Sequence, residues 1–467
     1  MRYSGAFTFL TILMSACTTP TSTPSDVTAV ETFANTELPS LTSSPQNMYV
    51  ATTSETWWHV FEDPLLNELI SKAQVQAFDV RKALADVERA EALLRSARSA
   101  NMPSLDLAGS LGTLQPDLGA SDLAGTASNS AELSLIGNWT IDLFGQARNT
   151  IRSAEAGLLA TQATQRDIER LIVARTLQAY LTSYNLRVRT RLAEQNIDRL
   201  TENTRRIGRL VEEGYSTRLD LRRSESQLFV LEAKRAELSA LQTASDNALA
   251  LLVAIPPADL IAALDAAPLR LNMPRQLPVP DLERVARNRP DIRAAEFALF
   301  SASYQADAAQ AALYPSISLN SSIFASGQSI GDLPALSTVS GSLVSSLAAP
   351  LIGRGRLLAN VDRADADLKK TLIAYEQTVF SAVLEIDTSL AQWKSAQDRM
   401  VLRSDALRAA VEAQELAERL FYAGELDFTS VVLAEQTRLQ AEDEYLVARG
   451  EAFSTYVQYA SAVVPGW

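Results

Sequence analysis

The chain has few side chains that could carry out catalysis. Among its 467 residues there is one cysteine, Cys17, and one histidine, His59. A zinc cluster of cysteine and histidine needs three or four such ligands, so this chemistry is excluded. A histidine that activates a serine or cysteine nucleophile would have to be His59, which stands beside two tryptophans in the string TWWHVFEDP. We interpret His59 as a packed or surface residue and not as a general base.

Other motifs and the charge also point away from enzymes and nucleic acids. The chain contains neither the GxxxxGK[ST] string of a phosphate-binding loop nor the GxGxxG string of a dinucleotide fold. Its 42 basic and 55 acidic residues give a formal net charge of −13, which disfavours binding to polyanions. We therefore expect no catalytic residue, no cofactor, no metal and no nucleic acid partner.

The cysteine indicates a different chemistry. Residues 1–16 have the layout of an export signal, with Arg2 before a short apolar core and small residues at the end. The string MSAC at residues 14–17 resembles the lipobox of bacterial lipoproteins, which implies that Cys17 is acylated, with palmitate among the chains attached. By the same similarity, Thr18 after the cysteine permits sorting to the outer membrane. A chance cysteine behind an ordinary signal is the alternative.

The elements of the body follow from an internal duplication. With 18 glycines and 18 prolines, the chain favours long uninterrupted helices. Three landmarks occur twice, about 210 residues apart: a helix that stops at proline, a strand that leads into a glycine, and a turn centred on glycine. The pairs are Pro103 and Pro315, Gly145 and Gly353, and Gly214 and Gly424. Each half is predicted to run helix, strand, loop, strand, long helix, turn and helix.

Four segments alternate apolar and polar residues with the period of a β-strand. Two follow Pro103 and two follow Pro315. Leu107 and Leu135 belong to the apolar face, whereas Ser134 belongs to the polar face. Such segments on an exported chain resemble the strands of outer-membrane barrels. A half-buried strand in a soluble sheet is the alternative for any single segment.

Two proline-free runs, about 147–211 and about 356–419, predict helices on the order of 100 Å long. In the first run Leu186, Ala193, Leu200 and Ile207 recur every seven residues, which is coiled-coil spacing. Shorter helices are predicted over about 63–100, 217–254, 281–312 and 427–462. The predicted fold class is mainly α, internally duplicated, with long coiled-coil helices and a transmembrane β-barrel portion.

The chain is divided accordingly. The predicted segments are a signal peptide (1–16), a lipidated extended arm rich in Ser, Thr and Pro (17–56), a first repeat (57–256), a linker (257–280) and a second repeat (281–467).

Several strings, in this order and with this duplication, resemble a known family. They are TWWHVFEDPLLNELISKA, RPDIRAAE, ALYPSISL, PLIGRGR, YAGELDFTSVVLAEQ and VVPGW. The family is that of the TolC-like outer-membrane efflux factors, and within it the lipoprotein branch that serves resistance-nodulation-division pumps. The resemblance covers nearly all of the mature chain.

The resemblance implies a homotrimer, in which four strands per subunit form a twelve-stranded barrel through the outer membrane and the helices form a periplasmic α-barrel tunnel. Loops at about 113–130 and 325–338 would face the exterior. The periplasmic tips would meet an adaptor protein, and the candidates for this docking are Gly214, Tyr215, Gly424 and Glu425. Candidates for the tunnel constriction are Asp220, Asp427, Ser430 and Leu433.

The expected function is that of a passive outer-membrane channel in a tripartite efflux system. An inner-membrane pump and a periplasmic adaptor would deliver small molecules such as drugs to it. Two alternatives remain: a duct for type I protein secretion, which shares the whole fold, and a periplasmic coiled-coil scaffold or adaptor, against which the four strands argue.

Overall fold

The computed structural model describes residues 56–114, 128–269, 271–274, 285, 287–327 and 339–463. The predicted signal peptide, Cys17 and the predicted arm up to residue 55 lie outside this part of the chain. Most of both predicted exterior loops, at residues 115–127 and 328–338, also lies outside it.

The first half of the chain follows the predicted order. After a short 3-10 helix at Trp57–Phe61, its elements are α1 (Pro64–Gln76), α2 (Phe78–Ala100), β1 (Ser104–Leu114), β2 (Ser128–Ile141), α3 (Gln146–Glu212), α4 (Arg218–Val253) and α5 (Pro257–Ala266). The second half has the same succession. Its elements are α6 (Pro290–Ala311), β3 (Ser316–Gly327), β4 (Val339–Ala348), α7 (Gly355–Tyr422) and α8 (Phe428–Val463).

Three boundaries differ from the sequence prediction. The single helix predicted over 63–100 is wrong, because Ala77 is extended at ψ 136° and separates α1 from α2. The segment predicted as a linker contains α5, which begins after Pro256 and with Pro257 in its first turn, a position that proline favours. The strands also run past the predicted loop boundaries, since β1 ends at Leu114 and β3 at Gly327.

The long helices are confirmed. α3 has 67 residues and α7 has 68, so each extends on the order of 100 Å. The predicted heptad positions of α3 are all buried, with exposed fractions of 8% at Leu186, 5% at Ala193 and 3% at Leu200 and Ile207. The repeat therefore describes the face on which α3 packs.

The largest core lies where the ends of the shorter helices meet the middle of the long ones. It includes α1, the middle of α3, the end of α4, α5, part of α7 and the end of α8. Tyr180 of α3 donates a hydrogen bond of 2.5 Å to Asp63, whose other oxygen accepts the backbone N–H of Leu65 at the start of α1. Burial, and then Asp63, raise the pKa of Tyr180.

A buried arginine links the start of the second repeat to its end. Arg289, in the string RPDIRAAE, pairs with Asp291 at 2.8 Å and with Glu385 of α7 at 2.7 Å, and it donates to the carbonyl of Ala462 at 3.2 Å. Burial opposes its charge, but Asp291 and Glu385 outweigh this effect and raise the pKa of Arg289. Buried charges need such partners, so the string has a structural role.

Candidate functional site: the strand sheet and the hairpin tips

The four strands form one antiparallel sheet in the order β1-β2-β3-β4. Leu107 lies opposite Leu135, and Leu135 lies opposite Ile323 in β3. Directly opposed residues point to the same face. Because the same register continues into β4, where Leu347 lies opposite Ile317, the predicted apolar positions of all four strands share one face.

The apolar face is uncovered within one subunit. Leu105, Leu107, Leu343 and Leu347 are each 67–71% exposed. No helix packs on the sheet with more than marginal contact among the described residues. A soluble sheet buries such a face in a core, whereas an outer-membrane strand turns it to lipid.

The opposite face is predominantly polar. Ser134 donates a hydrogen bond of 3.3 Å to the carbonyl of Ala108, and the hydroxyls of Ser322 and Ser342 are 2.8 Å apart. Ile136, Phe324 and Val344 are apolar exceptions on this face, by the register of the strands. A polar face of this kind suits the water-filled interior of a barrel.

Among the described residues, neither edge of the sheet has a partner strand within the subunit. β1 pairs only with β2, and β4 pairs only with β3. Unpaired backbone groups are costly in hydrocarbon, so a membrane sheet has to close on itself. Four strands are too few to close, and the missing strands have to come from other chains.

Aromatic side chains cluster where the sheet meets the helices. The rings of Phe144 and Tyr314 stack with centroids 4.9 Å apart, and the indole of Trp139 donates to the carbonyl of Asn101 at 3.3 Å. Such residues are typical of the boundary between hydrocarbon and water. Among the described residues no single helix is long and apolar enough to span a membrane, although the bent pair of α4 and α5 meets that test by length and composition.

At the other end of the long helices, both hairpin turns have the same geometry. Gly214 and Gly424 are left-handed, with φ of 82° and 75°. The N–H of Tyr215 donates to the carbonyl of Leu210 at 2.8 Å, and the N–H of Glu425 donates to that of Leu420 at 2.9 Å. This bond to a carbonyl five residues back is the Schellman arrangement, which needs a left-handed residue.

The docking candidates lie in open surroundings. A Cβ atom added to either glycine would meet no atom within 4 Å, and Tyr215 is 80% exposed. Glu425 is exposed as well. The two turns therefore present backbone and side chains to whatever approaches the ends of the hairpins.

Three of the four constriction candidates take part in helix caps. In the first repeat Thr217 caps α4, and its backbone N–H and hydroxyl donate to Asp220 at 3.2 and 2.6 Å. In the second repeat the roles are exchanged, because Asp427 caps α8 and accepts from the N–H and hydroxyl of Ser430 at 3.0 and 2.7 Å. Each turn thus has one carboxylate in its cap. When the two repeats are aligned on their turn glycines, the positions of the two carboxylates differ by three residues.

The hydrogen bonds of this cap have an electrostatic effect. Ser430 lowers the pKa of Asp427, with a smaller contribution from Arg223. Leu433, the fourth candidate, is 63% exposed on α8. The exchange is visible in the sequence, because the strings TRLD and DFTS both have the spacing of a cap.

Side chains also join the two hairpins of the subunit near the tips. Arg223 of α4 donates to the hydroxyl of Thr429 at 2.6 Å, and Arg206 of α3 donates to the phenol of Tyr422 at 3.1 Å. The bond to Tyr422 raises the pKa of Arg206. No local pattern in the sequence marks these residues, because their contacts join positions more than 200 apart.

The part of the chain that the structure describes also bears on the requirements of a metal site and of a catalytic histidine. The described residues contain no group of three or more Cys, His, Asp or Glu side chains that could hold a metal ion. His59 is exposed, and its ring meets that of Trp58 edge-on at 5.9 Å. One GxSxG string, at residues 327–331, begins at the last residue of β3 and otherwise lies outside the described part.

An open sheet with an outward apolar face, joined to helices of about 100 Å, defines an outer-membrane channel with a helical tunnel. The profile of the outer membrane efflux protein family matches residues 69–255 and 282–462. The chain belongs to this family. It is an outer-membrane efflux channel with a periplasmic tunnel, and it is not an enzyme. Channels of the family act as trimers together with adaptors and inner-membrane pumps.

Individual relatives agree with this assignment. The cation efflux system protein CusC of Escherichia coli O6:H1 is 26% identical over 422 residues, which are 88% of each chain. The toluene efflux pump outer membrane protein TtgC of Pseudomonas putida is 26% identical and covers 91% of this chain and 88% of its own.

Solved structures support the fold. The outer-membrane channel OprN is 25% identical, with a TM-score of 0.80 over 92% of this chain and 96% of its own. The CmeC outer membrane channel of Campylobacter jejuni shares the fold at 19% identity, with a TM-score of 0.81 over 91% of this chain and 90% of its own.

Proposed function

We propose that three copies of this chain form one channel. Each copy contributes four strands to a twelve-stranded barrel and two repeats, residues 57–256 and 281–467, to a tunnel of packed helices. The observation that carries this proposal is the pair of unpaired edges, β1 and β4, on a sheet whose apolar face is exposed. When three identical sheets are placed edge to edge in a ring, β1 of each copy pairs with β4 of the next. The backbone hydrogen-bonding groups at both edges of every copy are then paired, because the threefold arrangement closes on itself.

The two hairpin turns are the surface to which we assign the periplasmic adaptor. Gly214, Tyr215, Gly424 and Glu425 lie at the ends of hairpins far along the chain from the strands, and both turns have the same backbone geometry. Three copies would present six such turns. An adaptor that docks there would connect the channel to an inner-membrane pump of the resistance-nodulation-division class, which supplies the energy.

We assign the narrowest point of the tunnel to the end that carries the two hairpin turns. Asp220, Asp427, Ser430 and Leu433 lie within ten residues of a turn glycine. Because Asp220 and Asp427 are engaged in helix caps, they serve there as fixed carboxylates at the starts of α4 and α8.

The proposed cargo is small molecules. Two relatives with the same identity to this chain are named for different cargo, cations for CusC and toluene for TtgC. A wide passive channel does not need a pocket for one cargo, and the pump selects it. We also propose that acylated Cys17 anchors the mature chain in the outer membrane.

Export from intact cells tests this function. In a strain that lacks the chain, a fluorescent pump substrate should accumulate, and the wild-type chain should restore its export. Cells with Gly424→Trp should contain normal amounts of trimer but fail to export. If the wild-type chain restored secretion of a protein cargo but did not change accumulation of the small molecule, the result would instead favour a duct for type I protein secretion.

A further inference from the structure

Arginines gather where the helices meet the sheet, although the chain as a whole is acidic. Within seven residues of a helix end, connecting segments included, the sheet side has six arginines against Asp142 and Asp307. The side with the hairpin turns has six arginines against six carboxylates in the same windows. The arginines next to the sheet are all exposed, and they are Arg95, Arg98, Arg148, Arg152, Arg354 and Arg356. The more positive end of the subunit therefore lies beside the membrane.

The connection between β4 and α7, residues 349–354, exposes two large apolar side chains on this surface. Leu351 and Ile352 are 84% and 97% exposed. Leu351 comes four residues after Leu347, which belongs to the apolar face of the sheet. Apolar side chains at the end of a membrane strand suit the boundary between hydrocarbon and lipid headgroups. The β4–α7 connection therefore lies at the level of the headgroups on the periplasmic side.

Two arginines follow directly after these apolar residues. In the described part of the chain no carboxylate oxygen lies within 4 Å of the guanidinium nitrogens of Arg354 or Arg356. Arg354 donates to the carbonyl of Leu313 at 3.2 Å, beside Tyr314, whose ring stacks on Phe144. Cationic, aromatic and aliphatic groups are thus neighbours here. A phospholipid offers the complementary pair, a phosphate next to acyl chains.

The first repeat shows how an anion is held at the equivalent connection, between β2 and α3. Gly145 and Gly353 are 208 residues apart, and both are left-handed, with φ of 85° and 80°. In the first repeat the carboxylate of Asp142 accepts the backbone N–H of Gly145 at 2.9 Å and that of Arg148 at 2.8 Å. Such N–H groups at the start of a helix stabilise a negative charge. The chain supplies that charge itself in the first repeat.

The second repeat keeps the donors but has no carboxylate at this place. The equivalent of Asp142 is Pro350, and the equivalent N–H donors belong to Gly353 and Arg356. These two N–H groups form no hydrogen bond with the described residues. Arg354 stands where the first repeat has a glutamine, so the second connection has one cation more and one anion less. An anion from outside the chain would complete the arrangement of the first repeat.

We propose that the β4–α7 connection binds the phosphate of an anionic phospholipid in the periplasmic leaflet of the outer membrane. The phosphate takes the place that the carboxylate of Asp142 has in the first repeat. It accepts the N–H groups of Gly353 and Arg356, and the guanidinium groups of Arg354 and Arg356 neutralise its charge. The two exposed apolar side chains of the connection contact the acyl chains, which a free phosphate ion lacks.

Another arginine of α7 provides a matched control. A groove of about 650 Å³ crosses α2, α3, α6 and α7 near the sheet, and Arg363 is among the residues that line it, whereas Arg354 and Arg356 are not. A groove shared by four neighbouring helices lies on the concave side of their layer, which a closed tunnel turns away from lipid. Arg363→Gln therefore removes an exposed arginine of the same helix without a change at the proposed site.

Native mass spectrometry of the full-length channel, purified in detergent with added phosphatidylglycerol, measures the lipid that each variant retains. Wild type should retain one lipid per copy, and about tenfold less phosphatidylcholine, which has no net charge. The variant with Arg354→Gln and Arg356→Gln should retain about tenfold less phosphatidylglycerol than wild type. Pro350→Asp should have a similar effect although both arginines remain, because it supplies the carboxylate of the first repeat. Arg363→Gln should retain as much as wild type.

Equal retention of phosphatidylglycerol by wild type, the double arginine variant and Pro350→Asp would overturn the proposal, and so would equal retention of the two lipids by wild type. Heat-labile trimer, measured in the same samples, should be unchanged in every variant. Its loss in the arginine variant would place these arginines between copies and overturn their assignment to lipid. The site lies within one copy, so a wild-type monomer that retains phosphatidylglycerol would contradict the proposed trimer and support the lipid site.

Discussion

The lipid-facing assignment of the sheet predicts that Leu107→Arg destroys the barrel. Leu107 is 70% exposed near the middle of β1, opposite Leu135 on the apolar face. An arginine near the bilayer midplane costs about 2–4 kcal/mol per strand position in a membrane barrel. Three copies place three arginines in lipid, a total of about 6–12 kcal/mol for the trimer, which is comparable with the whole stability of a typical domain.

The matched control is Ala108→Arg, one residue along the same strand. By the register it points to the polar face, opposite Ser134, where water can solvate the guanidinium. Heat-labile trimer in the outer membrane, measured by electrophoresis of unheated and heated samples, should be lost in Leu107→Arg and kept in Ala108→Arg. Equal trimer levels in the two variants would refute the assignment of the faces.

Further predictions concern the helices and the lipid anchor. Gly424→Ala should lower stability by about 1 kcal/mol through the left-handed backbone alone, whereas Gly424→Trp should leave trimer levels normal and abolish adaptor cross-linking; loss of trimer would show a structural role instead. Asp427→Ala should accelerate hydrogen exchange at the start of α8. Because the pKa of Asp427 is lowered in the fold, wild type should lose the stabilisation by this cap as the pH falls below the ordinary value of 3.8, and the variant should lack that pH dependence. Arg289→Met should cost about 3 kcal/mol, measured as thermal stability, because Asp291 loses its partner; an unchanged midpoint would contradict the structural role of RPDIRAAE. Cys17→Ser behind an ordinary signal should still insert as trimer, and a wholly soluble product would contradict the barrel.

Much of the architecture is predictable because it is periodic and duplicated. The strand alternation around Leu107 and the heptads from Leu186 to Ile207 depend on local spacing, and the structure confirms both. The turn glycines were predictable for a related reason, since few residues other than glycine adopt a left-handed backbone readily.

The break at Ala77 and the helix α5 were not predictable from such patterns. No proline or glycine stands at Ala77, which is 1% exposed, so tertiary packing bends the chain there without a local signal. Long-range contacts were equally hidden. Arg223 meets Thr429 because the two repeats lie side by side, and Arg289 meets Ala462 because the start and the end of the second repeat pack together.

The number of chains in one membrane particle tests the central claim most directly. Native mass spectrometry of protein extracted from the outer-membrane fraction should give about three times the mass of one mature chain, because four strands per copy must become twelve. A monomer or a dimer in that fraction, or recovery of the folded chain in the soluble periplasmic fraction, would contradict it.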